Sequence, residues 1–178
     1  LVHKESGSKQ KRTGTLSFKK PLLVRWETKS PTPELLLVGK DAIWNVFPEE
    51  EMAYKYAIGL AQDSRSIVRV VTGQAKLDQD FTVEEEGKDG QLVKLRLYPK
   101  EPSQAMVEAL LWVDPSSYLI RKIRAYDFYG NENEISFSAH NPSIKLPDSS
   151  FAYSPPKDFA VEDRTKNAGA APIKPLMQ

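Results

Sequence analysis

The 178-residue chain contains no cysteine. Disulfides, thiolate metal sites and a cysteine nucleophile are thereby excluded, as is an acylated N-terminal cysteine within these residues. There are two histidines, His3 and His140, and they do not stand at metal-ligand spacing. The formal charge is +1, from 25 basic and 24 acidic residues, so no global field draws nucleic acid. The run Lys9, Gln10, Lys11, Arg12 is locally basic but short, and reads as a solvated strand edge or hairpin. No apolar run approaches the ~20 residues that span a bilayer; the longest are Leu35 to Val38 and Ala109 to Val113. The chain opens at Leu1 rather than Met, which reads as a mature, trimmed or partly disordered N-terminus, so the want of a signal peptide carries no information about export. Gly87 and Gly90 are not followed by the Lys-Ser/Thr of a phosphate cradle, and no Gly-x-Ser-x-Gly elbow occurs. Carboxylates at Asp78, Asp80 and Glu84 to Glu86 read as solvated faces. The chain reads as a non-enzyme that needs no metal or cofactor.

What is present is a succession of short segments with a period of two, the mark of half-buried strands. Thr13 to Phe18 alternates until Pro21 interrupts or edges it, and Leu22, Val24 and Trp26 then alternate with Leu23, Arg25 and Glu27. Leu35 to Val38 and Ala42 to Phe47 follow across a Gly39-Lys40-Asp41 turn, too tight for anything but antiparallel pairing. After Pro48 the pattern changes, and Ser64 or Ser66 caps an expected helical stretch to about Leu77, with Ile67, Val70, Val71 and Gln74 at helical spacing and Gly73 interrupting it. Alternation returns at Phe81 and Val83 (ended by Gly87 to Gly90), Leu92 to Tyr98, Met106 to Val113, Leu119 to Phe128 and Asn133 to His140. Phe151 to Tyr153 suggests a last short strand, and the chain from Arg164 onward reads as a flexible tail. Eight to ten strands with one helical region and no βαβ unit predict a mainly β domain, a curved antiparallel sheet with a helix on its concave side.

Several strands carry large apolar residues on both faces: Leu22, Leu23, Val24; Leu35, Leu36, Leu37; Leu110, Leu111, Trp112. One helix covers part of one face, so the rest is either ordinary core or an apolar cleft. A cleft of that kind suits acyl chains, since each buried methylene is worth about 0.8 kcal/mol. Sequence physics leaves these two readings even.

The stretch Gly14-Thr15-Leu16-Ser17-Phe18-Lys19-Lys20-Pro21 with Val24-Arg25-Trp26 resembles the opening strand pair of the outer-membrane lipoprotein carrier (LolA) family. Pro33 to Val38 with Asp41-Ala42-Ile43-Trp44 resembles its next hairpin, Leu97-Tyr98-Pro99 a later strand end, and Phe151 to Pro156 with Val161-Glu162-Asp163 its closing segment. The resemblance implies a half-open, unclosed antiparallel β-barrel of about eleven strands with a helical lid over the concave face. It places a single domain at 1–163, with 164–178 as tail and the family's leading amphipathic helix lying before this chain's start. It implies a Gram-negative periplasmic chaperone that takes triacylated lipoproteins from an inner-membrane ABC transporter to an outer-membrane receptor lipoprotein, without touching nucleic acid or being embedded in a membrane. The acyl-chain cavity falls on Leu16, Phe18, Val24, Trp26, Leu35, Leu37, Trp44, Leu110 and Trp112. The lid falls on Ile67, Val70 and Val71, and the latch on Lys20, where better-known members have Arg. Lacking the planar guanidinium fork, Lys20 would latch more loosely. The alternatives are a periplasmic lipid-binding or stress-sensing domain on the same half-barrel, and the receptor of the same pathway.

Overall fold

The structure, a computed structural model, describes residues 2–3, 7, 10–62, 67–102, 104, 106–141 and 143–166. The chain is mainly β, and its strands form two sheets that belong to two compact units. The unit built from residues 11–66 and 144–176 holds β1 (Thr13–Lys19), β2 (Leu23–Ser30), β3 (Glu34–Val38), β4 (Ala42–Phe47), β5 (Met52–Ala57) and β11 (Ala160–Asp163), paired in that order. The unit built around residues 67–143 holds β6 (Phe81–Asp89), β7 (Leu92–Pro99), β8 (Glu108–Val113), β9 (Ile120–Tyr126) and β10 (Glu132–Ser136), an antiparallel meander. Neither sheet closes on itself among the described residues, since β1 and β11 edge the first and β6 and β10 the second.

In the first sheet β1 to β5 run antiparallel through short turns, as the alternation predicts. The connection from β4 to β5 is a one-turn 3-10 helix, Pro48–Glu50, with Pro at its start and Glu51 in the left-handed region. The charged run that interrupts the alternation is therefore a turn, and the strand resumes at Met52. β11 corrects the expectation of purely antiparallel pairing. It lies parallel to β5, Ala160 opposite Met52 and Asp163 opposite Lys55. A parallel partner needs a long connection, and here roughly half the chain intervenes.

The segment preceding β11 is not a strand at Phe151 to Tyr153 but a 3-10 turn, Asp148–Phe151, followed by extended chain. It packs on β2 and buries Phe151 almost completely. Asp148 accepts from Lys19 at 2.6 Å and from Lys40 at 2.8 Å, the Arg25 guanidinium donates to the Ser150 carbonyl at 3.2 Å, and Tyr153 packs against Trp44 with ring centres 5.4 Å apart. Beyond β11, the Arg164 N–H donates to the Lys55 carbonyl and its guanidinium stacks on Tyr54, 4.3 Å from the ring centre. Arg164, expected in the tail, is thus part of the ordered fold.

In the second unit the helix expected to run to about Leu77 ends at Val71. Ser64 and Ser66 lie outside the described residues. The described part is α2 (Ile67–Val71), preceded in the chain by α1 (Gly59–Gln62) and followed by a separate α3 (Leu77–Asp80). Gly73, at φ +69°, closes α2: the Gly73 N–H donates to Val70 O and the Gln74 N–H to Arg69 O, a helix stop that needs a left-handed residue. The β6 strand is longer than its glycines suggest. Gly87, at φ +88°, falls where the register with β7 shifts, and the strand continues as a bulge to Asp89.

Candidate functional site

Register assigns every strand residue to a face, because opposed residues of neighbouring strands point the same way. In the first sheet Leu16, Trp26, Leu36, Asn45 and Tyr54 form one cross-strand row, and Phe18, Val24, Val38, Ile43 and Tyr56 the next row on the same face. Val24, Leu36, Val38, Ile43 and Tyr56 are buried, Leu16 and Trp26 half-buried, and Phe18 is 45% exposed at the edge. This is a wide apolar face. The opposite face carries Arg25, Glu27, Leu35, Leu37, Trp44, Val46 and Lys55. The chain's own 148–153 segment reaches that face through Arg25 and Trp44.

The structure therefore brings together four of the expected cavity residues, Leu16, Phe18, Val24 and Trp26. It puts Leu35, Leu37 and Trp44 behind them, on the side with the C-terminal segment. The alternation within each strand is visible in sequence, but which parity of β3 matches which parity of β2 is set by register. Lys20 stands exposed in the β1–β2 turn.

The second sheet divides the same way. Leu95, Leu97, Ala109, Leu111, Ile123, Ala125 and Ile135 share an apolar face. Leu110 and Trp112 lie on the other, with Lys94, Arg96, Lys122 and Arg124 as cross-strand partners. Trp112 is buried beneath those cations: Lys122 Nζ is 3.7 Å from its ring centre and Lys94 and Arg124 are within 6 Å. Its indole N–H donates to Asp89 at 2.7 Å. Acids complete the lattice, with Arg96 bridging Glu86 and Glu108, and Arg124 reaching Glu132 and Glu134. These two expected cavity residues thus support a charged surface. Of the expected lid residues, Ile67, Val70 and Val71 are all buried on α2.

One feature of the first sheet was not legible in sequence. Its apolar face contains a polar cluster. Glu34 and Asn45 are both buried there, Arg12 pairs with Glu34 at 3.1 Å, and the Asn45 side chain hydrogen-bonds Glu34. Burial pushes the Glu34 carboxyl above the usual carboxylate range, and the Arg12 charge and the Asn45 hydrogen bond only partly offset it. Asn45 Oδ1 has no hydrogen-bond partner among the described residues.

No helix is long and apolar enough to cross a membrane, and no group of three or more metal-ligating side chains occurs among the described residues. The described residues define a class: an open-sheet β protein with a wide apolar face on its first sheet, broken by a few buried polar groups.

The family model of the outer membrane lipoprotein carrier protein LolA matches residues 1–154. The chain belongs to this family of lipoprotein carrier chaperones, which is not known as a family of enzymes. Among curated relatives, the outer-membrane lipoprotein carrier protein of Chromobacterium violaceum is 24% identical over 155 residues, 87% of this chain and 74% of that protein. The one from Dechloromonas aromatica is 24% identical over 156 residues, 88% of this chain and 74% of its own length. A solved domain from Vibrio parahaemolyticus, ascribed to outer membrane lipoprotein sorting, superposes with a TM-score of 0.40 at 15% identity, covering 75% of this chain and 65% of that one.

Proposed function

We propose that the protein works in the periplasm and carries acylated lipoproteins by laying their acyl chains on the apolar face of the first sheet, where Leu16, Phe18, Val24 and Trp26 adjoin Leu36, Val38 and Ile43. The observation that carries this reading is that face itself, wide and apolar in a chain that belongs to a lipoprotein carrier family. Leu35, Leu37 and Trp44 enter as the packing behind it. Leu110 and Trp112 stand outside the proposed surface, on the charged face of the second sheet. For Ile67, Val70 and Val71 we propose the lid, and for Lys20 the latch, of a half-open barrel. An inner-membrane ABC transporter is the proposed donor and an outer-membrane receptor lipoprotein the proposed acceptor.

Binding is an exchange. Val24, Leu36, Val38 and Ile43 are already buried, so acyl chains must replace the contacts that bury them. Net affinity is the acyl transfer gain, about 0.8 kcal/mol per methylene, less the contacts given up. That difference keeps affinity moderate, as a carrier that releases its cargo requires.

The test is a transfer assay. Inner-membrane vesicles holding a labelled triacylated lipoprotein are incubated with the full chain, and the soluble fraction is separated by size. A one-to-one complex containing the label is the expected result. Label that stays with the vesicles would refute the carrier reading.

A further inference from the structure

The apolar face that we assign to acyl chains contains a hydrogen-bond acceptor that no donor among the described residues reaches. Asn45 stands in the row between Leu36 and Tyr54, in the same strand and on the same face as Ile43. It is 1% exposed. Its amide interacts with the buried Glu34 carboxyl; a carboxylate only accepts, so Nδ2 is the atom engaged. Oδ1 remains, buried and without a partner among the described residues. A buried acceptor left unpaired is costly, and sites built around one discriminate strongly in favour of ligands that bring a donor.

We propose that Asn45 is a cargo-selecting residue: Oδ1 accepts a hydrogen bond from an amide N–H at the acylated end of a polypeptide, favouring lipoprotein over phospholipid. The proposal rests on the acyl-chain reading of this face. The chemistry of the two candidate cargos separates them. In a phospholipid the acyl chains end in esters, which only accept hydrogen bonds, and any donors sit at the far end of the headgroup. An acyl chain joined to a polypeptide amine ends in an amide, with its N–H one atom from the acyl carbonyl. A ligand lying along an apolar face can bring that N–H to a buried acceptor without carrying a charge into the site. An ester in the same place brings no N–H and leaves Oδ1 unpaired.

The test uses two probes that differ at one atom: N-palmitoylglycine and its ester isostere, O-palmitoylglycolic acid. Each is titrated into the full chain by calorimetry. The wild-type protein binds the amide roughly tenfold more tightly, a difference of about 1.4 kcal/mol. In Asn45→Leu the ratio falls to about one. Asn45→Val serves as a second variant, and the wild-type ratio decides the matter if neither variant folds. Equal wild-type affinities overturn the proposal while leaving the acyl-chain reading intact, as does an amide preference that survives in the variants. If neither probe binds the wild-type protein, the acyl-chain reading itself fails and the selection proposal with it.

Discussion

Replacing Phe151 by alanine tests how the C-terminal segment is held. The side chain is 2% exposed, at the end of the 3-10 turn that packs on β2. Truncating a fully buried phenylalanine costs about 3–5 kcal/mol, from lost transfer energy and the cavity left behind. For a chain of this size each kcal/mol lowers Tm by about 2–4 °C, so Phe151→Ala should lower it by roughly 6–20 °C. Around the 3-10 turn the other ties include surface ion pairs of Asp148 with Lys19 and Lys40, one Arg25 hydrogen bond and the Tyr153 ring on Trp44, and exposed ion pairs contribute little. The loss should therefore also appear locally. Hydrogen exchange should quicken at Ala160 and Arg164, whose N–H groups bond to the Glu51 carbonyl just before β5 and the Lys55 carbonyl within it. Calorimetry gives the first quantity and exchange mass spectrometry the second. A loss below about 1 kcal/mol with unchanged protection at both amides would show that Phe151 is not the anchor.

Two further outcomes follow from the buried groups and the face assignments. The Glu34 carboxyl titrates above its unfolded value of 4.5, so its favourable contribution is full below that pH and is lost as pH rises through the raised folded value. Glu34→Gln should therefore gain in Tm relative to wild type as pH rises from 4 to 8; a constant difference would contradict the burial effect. Phe18→Asp, at an exposed edge of the apolar face, should weaken a palmitoyl probe roughly fivefold, about 1 kcal/mol of lost apolar contact. Trp112→Phe, on the charged face, should leave that affinity within about twofold while costing about 1 kcal/mol of stability from the lost Asp89 hydrogen bond; the reverse pattern would move the acyl surface to the second sheet.

The period-two alternation in Thr13 to Phe18 and Leu92 to Tyr98, because the pleat places successive side chains on opposite faces, and the short apolar runs Leu35 to Val38 and Ala42 to Phe47 across a tight turn were enough to find β1, β7, β3 and β4. The family resemblance was equally a property of local segments in order. β11 carried no such signal. Its four residues are all exposed, and its partner β5 lies far away in sequence, so nothing nearby announces the parallel pairing. Gly73 was readable as an interruption, but whether it bends a helix or ends one depends on the left-handed conformation that the surrounding hydrogen bonds accept.

Which residues share a face was decided only by the tertiary structure. Leu16, Val24, Leu37 and Trp112 look alike as alternating apolar positions, and a one-residue shift in pairing would exchange the faces of a whole strand. The meeting of Glu34 with Asn45 and Arg12 is of the same kind: three polar residues, on different strands or outside them, that have no relation along the chain. Sequence determined that this protein is a succession of amphipathic strands of a lipoprotein carrier family, since that follows from short-range chemistry. Register, a long-range property of hydrogen-bonded pairing, decided which apolar side chains form one surface and which polar group is buried within it.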